Sequence, residues 1–216
     1  MKTGKHLSMI REFQLADWFT LGNAACGVGA LFAVMTYLQT PDGLHLWFAC
    51  GLVALSFVFD VFDGRVARWR QQTSLLGREI DSLADVISFG VAPAAIAYGI
   101  GMNGLWDRLI LIYFVACGVS RLARYNITAE TLADGGDKVK YFEGTPIPSS
   151  LLLVGVMAIA VTLGAVDTGL LETAENGTRL WFGAVGIGPW LLHPLVLMFA
   201  LSGTLMISRT LHIPKL

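Results

Sequence analysis

Charge is scarce in this chain. Asp, Glu, Lys and Arg make up 14% of its 216 residues, against 55% for the hydrophobic types. A soluble domain carries about a quarter charged residues, so this composition, with a mean hydropathy of +0.63, excludes an ordinary soluble globule. The net charge of −1 implies neither a nucleic-acid partner nor a peripheral basic anchor. There are three cysteines, Cys26, Cys50 and Cys117, each inside an apolar segment and none in a CxxC pair. They read as buried structural thiols, not as a disulfide framework or a redox pair. His6, His45, His193 and His212 are scattered with no ligand spacing, which leaves no zinc pattern. No internal repeat, low-complexity tract or linker divides the chain, so residues 1–216 are read as a single membrane-embedded domain.

What the sequence has in quantity is long apolar runs. Six of them predict spans at about 19–38, 44–66, 80–100, 105–125, 147–166 and 189–208. Each approaches the roughly 20 residues a bilayer-crossing helix needs. The expected fold is therefore all-α: a polytopic membrane protein with six transmembrane helices. A short interfacial helix over Leu7–Leu15, mixing Ile10 and Phe13 with Arg11 and Glu12, leads into the first. That first run is too long for a signal segment and reads as a retained span. Trp18, Trp47, Trp106, Trp181 and Trp190 fall near the expected interfaces, as an aromatic belt does. Thirteen of the 15 Lys and Arg fall at the termini and in the 2–3 and 4–5 connections; only Arg108 and Arg179 lie opposite. The positive-inside rule then places both termini and both of those connections in the cytoplasm, with a prokaryotic inner or plasma membrane as the expected location.

The chemistry concentrates in two stretches. One is Asp60-Val-Phe-Asp63-Gly64-Arg65-Val-Ala67-Arg68, the other Gly77-Arg-Glu-Ile-Asp81-Ser-Leu-Ala-Asp85. A charged residue inside a spanning helix costs about 2.5–3.5 kcal/mol on insertion scales and is a functional candidate by default. Asp60 and Asp63 are spaced i, i+3, and Asp81 and Asp85 i, i+4, so each pair shares a helix face. A short connection packs spans two and three antiparallel and lets the two acidic faces meet. Converging carboxylates repel in a low dielectric, and a divalent cation with oxygen ligands relieves that: Mg2+, Mn2+ or Ca2+. Gly64 and Ala67 leave room beside the acidic face, and Arg68 offers a bidentate fork for phosphate. Metal, arginine and an open approach equip a site for phosphoryl-group transfer. A set of helix caps, or a transporter's cation site, explains single aspartates but not Gly64, Arg68 and Gly77 at their positions.

At these residues the sequence resembles the CDP-alcohol phosphotransferase family, whose signature is D-x2-D-G-x2-A-R-x7–8-G-x3-D-x3-D. All eight fixed positions are present: Asp60, Asp63, Gly64, Ala67, Arg68, Gly77, Asp81 and Asp85. The resemblance implies that Asp60, Asp63 and Asp81 bind two divalent ions, with Asp85 contributing and also serving as the general base. It implies that Gly64, Ala67 and Gly77 receive the cytidine nucleotide, and that Arg68 helps hold it. Asn23, in Thr20-Leu-Gly-Asn23, is either a further contact to the donor or an interhelical hydrogen bond. A homodimer is also implied.

The segment from Asp81 through Ser82, Val86 and Ser88 to Pro93 is similar to the phosphatidylserine synthase branch of that family. So are Ser120-Arg121-Leu-Ala-Arg124-Tyr-Asn126 and Phe142-Glu-Gly144-Thr-Pro146-Ile-Pro148. Relatives that use glycerol phosphate usually have Pro where Ser82 stands and Lys where Val86 stands. The branch implies CDP-diacylglycerol and L-serine as substrates, with membrane lipids around the helices. A serine carboxylate needs a cation, and Arg121 and Arg124 are the candidates for it and for a lipid phosphate; each is otherwise a positive-inside anchor. Ser88 either bonds a substrate or its own backbone. The alternatives are another acceptor alcohol (glycerol phosphate, inositol or choline) on the same machinery, and a cation transporter. With no evident Ser, Cys or His nucleophile, the expected route is direct displacement.

Overall fold

The computed structural model describes residues 14–70, 75–133, 141–164, 166, 180, 182–208 and 212–214. The expected interfacial helix before residue 14, the turn Asp134–Asp137 and the cations Lys138, Lys140, Arg179, Arg209 and Lys215 lie outside the described residues, as do the side chains of Ala67 and Arg68.

Helix α1 runs Leu15–Gln39 and α2 Gly43–Arg70. Asp42 starts α2: its carboxylate accepts from Leu44 N at 3.0 Å and its carbonyl from His45 N at 3.0 Å, satisfying amides that a helix start leaves free. The pair packs antiparallel. The position of a Cβ on Gly22 meets the Phe59 ring, and one on Gly29 meets Leu52. Helix α3, Leu75–Asp85, passes without a break into a π-helical segment, Val86–Val91, and then into α4, Ala92–Gly99. The third expected span is thus one rod with a π insertion in its middle.

Helix α5, Leu105–Ala133, is longer than the expected fourth span. Arg121, Arg124 and Asn126 therefore stand on helix and not in a connection. After β1, Tyr141–Glu143, a 3-10 turn over Ile147–Ser150 opens α6, Leu151–Thr162. Strands β2, Val185–Ile187, and β3, Trp190–Leu192, pair antiparallel. A 3-10 turn, Pro194–Val196, then leads into α7, Leu197–Ile207, and β4, His212–Pro214, pairs with β1.

The fold is mostly helical, with two short antiparallel ladders among the described residues. One expectation is corrected here. The sixth apolar run does not begin as helix. Gly188 adopts φ +67° and is followed by Pro189 in the β2–β3 turn, and the helical stretch starts only at Pro194, a first-turn position where the missing backbone donor costs nothing.

Among the described residues, three helices are long and apolar enough to cross a membrane: Leu15–Gln39, Gly43–Val66 and Leu76–Gly99. Two shorter apolar helical stretches cover Ile147–Thr162 and Pro194–Ile207. The interior is closed by Phe89, Ile96, Phe114, Met157 and Phe199, all fully buried, with Phe114 and Phe199 edge to face at 5.1 Å. The outside is equally apolar: Phe32, Leu44, Phe48, Leu152 and Leu201 are each more than 60% exposed. An apolar exterior on a well-packed bundle is what a lipid-facing surface requires. The molecule is a multi-pass membrane protein.

At one end of the bundle, buried Asp107 ties three elements together. Its Oδ2 accepts from Gly104 N at 2.9 Å and lies 2.6 Å from His193 Nδ1; its Oδ1 accepts from His193 N at 2.9 Å. His193, without ligand spacing in the sequence, is a structural partner here. Nearby, Trp106 Nε1 donates to Ile187 O at 3.2 Å and its ring meets Trp190 edge-on at 5.8 Å.

Candidate active site

The acidic residues gather where α2 and α3 face α1. Oxygens of Asp60, Asp63 and Asp81 all lie within 4.8 Å of one another; Asp63 is buried and the other two half-buried. The i, i+3 spacing puts Asp60 and Asp63 on one face of α2, and α3 brings Asp81 against them. Asp85, one turn further along α3, is buried and stands outside that group of three, but the charges of Asp60, Asp81 and Asp63 all act on it.

Helix α1 holds two of these acids from below. Thr20 Oγ1 is 2.9 Å from Asp63 Oδ2 and donates to it; it also lies 3.2 Å from Ala16 O. One turn on, Asn23 Nδ2 donates to Asp85 Oδ1 at 3.3 Å. Both contacts are buried, where a satisfied carboxylate is worth more than at a surface. Asn23 thus makes an interhelical bond, and that bond runs to the acid expected to act as base. Its own Oδ1 is buried with no hydrogen-bond partner, and so is Asp81 Oδ1.

The approach of α1 depends on Gly27. A Cβ there would fall 2.5 Å from Ser88 Oγ and 2.9 Å from Ser88 Cα. At this contact Ser88 Oγ donates to Asn23 O at 2.9 Å. The hydroxyl proton of Ser88 is therefore committed to helix packing, directly behind the Asn23–Asp85 bond. Ser88 belongs to the π segment that starts immediately after Asp85; π turns often occur at functional sites.

Three carboxylates within 4.8 Å, one with an unpaired buried oxygen, suit a hard divalent cation. At that separation each like-charge pair repels by on the order of 3 kcal/mol at an effective dielectric of 20. Among the described residues no histidine or cysteine joins the group.

Arg121, on α5, is half-buried. Its guanidinium lies 6.0 Å from the Tyr125 ring centroid, its Nε is buried without a hydrogen-bond partner, and the charge of Asp85 acts on it. The second expected arginine, Arg124, is half-buried on the same helix. Gly64 and Gly77 are half-buried beside the acids.

Several polar contacts and roles escaped the sequence reading. Arg78 stands on the stripe of Asp81 and Asp85, at i, i+3 and i+7, with a buried unpaired Nε; that spacing could have singled it out. Thr145 Oγ1 and Ser150 Oγ, both buried and unpaired, flank the 3-10 turn that packs on the π segment. Ser82 and Asn126 bond each other across α3 and α5, a pairing no linear spacing reveals.

The chain is 40% identical over 213 residues to the CDP-diacylglycerol–serine O-phosphatidyltransferase of Saccharomyces cerevisiae, covering 97% of this chain and 74% of the yeast protein. A Helicobacter pylori protein of the same name is 41% identical over 138 residues, and there the match spans about half of the bacterial protein, 53%. An archaetidylserine synthase of Methanothermobacter thermautotrophicus is 33% identical over 179 residues, covering 77% of this chain and 73% of the archaeal protein. The profile of CDP-alcohol phosphatidyltransferases matches residues 13–205. That match runs unbroken through all four carboxylates and through the helix that braces them, and the chain belongs to the CDP-alcohol phosphatidyltransferase family.

Proposed function

We propose that this protein transfers a phosphatidyl group from CDP-diacylglycerol to L-serine, forming phosphatidylserine and CMP. The observation that carries the reading is the convergence of Asp60, Asp63 and Asp81, with Asp85 braced beside them, in a chain that is similar from end to end to a serine-using transferase.

In this reading Asp85 accepts the proton of the serine hydroxyl, held for that task by Asn23 and lying outside the group of three. The serine oxygen attacks the lipid-proximal phosphorus in line. The bond from that phosphorus to the bridging oxygen breaks, CMP leaves, and the proton passes from Asp85 to solvent. Arg121 binds the serine carboxylate and Arg124 a lipid phosphate. Gly64, Ala67, Gly77 and Arg68 receive the nucleotide. Asp60, Asp63 and Asp81, with Asp85 contributing, would hold two divalent ions. When bound, Mg2+ or Mn2+ supplies charge neutralisation to the diphosphate.

The same reading takes the chain as one domain with six spans, the three long apolar helices joined by α5 and the two shorter apolar stretches. The acidic site lies on the cytoplasmic side, as the Lys and Arg distribution favours, and two copies form a homodimer. The relatives come from a yeast, bacteria and an archaeon, which favours no one of their membranes. The archaeal relative favours a second reading of the donor, an ether lipid on the same headgroup site.

The test is CMP release by purified protein in detergent, supplied with CDP-diacylglycerol and Mg2+ or Mn2+. Release that requires L-serine and stops with a chelator is the expected result. Release with glycerol phosphate, inositol or choline but not serine would overturn the acceptor while keeping the chemistry.

A further inference from the structure

Helices α3 and α5 carry the two halves of the proposed serine site, the base Asp85 on one and Arg121 on the other. They meet over only a short stretch, and one polar cluster spans it. Asn126 Nδ2 donates to Glu79 Oε1 at 3.2 Å and lies 3.0 Å from Ser82 Oγ; that hydroxyl is also 3.2 Å from Asn126 Oδ1. Glu79 and Ser82 are one turn apart on α3, so a single amide grips the helix at two points. Ser82 directly follows Asp81 and precedes Asp85 by three residues, which ties the grip to the acidic stripe itself.

On α5 the lever is short. Asn126 lies five residues beyond Arg121, and Tyr125, its neighbour, lies under the Arg121 guanidinium. Rotating α5 about its axis moves Arg121 away from Asp85, and the Asn126 contact opposes that rotation. The Ser82 part of the cluster is partly buried, whereas the Glu79 contact is exposed. The hydroxyl contact therefore contributes more of the restraint.

We propose that Asn126 is a positioning residue for the acceptor: through Ser82 and Glu79 it locks α5 to α3, which sets the distance between Arg121 and Asp85 and so selects a small zwitterionic alcohol whose carboxylate and hydroxyl span that distance. This rests on the proposed serine transfer.

The experiment measures KM for serine, KM for CDP-diacylglycerol and kcat in wild type, Ser82→Ala, Asn126→Ala, the double variant and Ser82→Thr. Serine-dependent CMP release by wild type comes first, because its absence refutes the underlying reading and not this one. With wild type active, serine KM rises about fivefold to tenfold in Ser82→Ala and Asn126→Ala, the loss of about one partly buried hydrogen bond. KM for CDP-diacylglycerol stays unchanged, the double variant is no worse than the worse single one, and Ser82→Thr, which keeps the hydroxyl, restores wild-type serine KM. Equal rises in both KM values, additive effects, or an unchanged serine KM overturn the proposal. Should Asn126→Ala fail to yield folded protein, the Ser82→Ala and Ser82→Thr pair decides it on the same criteria.

Discussion

Replacing Gly27 by alanine sets helix propensity against packing. In the middle of an unobstructed helix the change stabilises by roughly 0.5–1 kcal/mol, because glycine loses more backbone freedom on folding. In α1 the added methyl would lie 2.5 Å from Ser88 Oγ and 2.9 Å from Ser88 Cα. The second contact is backbone, so no side-chain rotation relieves it, and α1 and the π segment must separate. Overpacking of this kind costs about 1–3 kcal/mol, and separation also stretches the 2.9 Å bond from Ser88 Oγ to Asn23 O, worth about 1 kcal/mol. The net expectation is a loss of about 1–3 kcal/mol, read as an earlier thermal transition in detergent, and a fall in CMP release as the Asn23–Asp85 bond loosens. Gly51→Ala and Gly155→Ala are the controls: a Cβ at either position meets nothing within 4 Å, so both should be neutral or slightly stabilising. If Gly27→Ala matches them in stability and activity, the close approach of α1 to the π segment is refuted.

Asp85→Asn keeps the shape of the side chain but cannot accept a proton; transfer should fall by about a hundredfold or more while CDP-diacylglycerol binding, followed by equilibrium dialysis, persists. Asp63→Asn removes one charge from the group of three, so the Mg2+ concentration for half-maximal activity should rise at least tenfold, and an unchanged metal requirement would remove Asp63 from the ligand set. Asp107→Ala leaves the His193 ring and two backbone amides without their buried acceptor; thermal stability should drop by about 1–3 kcal/mol with little change in KM for either substrate.

The acidic site was legible in the sequence because its geometry is mostly local. Asp60 with Asp63, and Asp81 with Asp85, are fixed by helical spacing, and a short connection brings the two faces together. The Thr20–Asp63 and Ser82–Asn126 bonds join residues 43 and 44 apart in the chain; they depend on how helices rotate against one another, which linear spacing does not encode. Hydropathy found the first three spans, yet read Pro189–Leu192 as the start of a helix, since an apolar run scores alike in helix and strand and only Gly188 and Pro189 mark the turn. The π insertion after Asp85 left no trace in composition. It packs against Gly27 on another helix, a contact that linear sequence does not reveal, and the helical residues Val86–Val91 read as ordinary membrane span.

Helix α1 supplies a partner to one acid on α2 and another on α3, and it precedes both in the chain. During synthesis Thr20 and Asn23 are therefore in place before either acid leaves the ribosome. Asp63 and Asp85 can each be buried against a donor already synthesised. The brace that shapes the finished site thus also lowers the cost of inserting it, and the order of the helices becomes part of how a cluster of negative charge is built inside a bilayer.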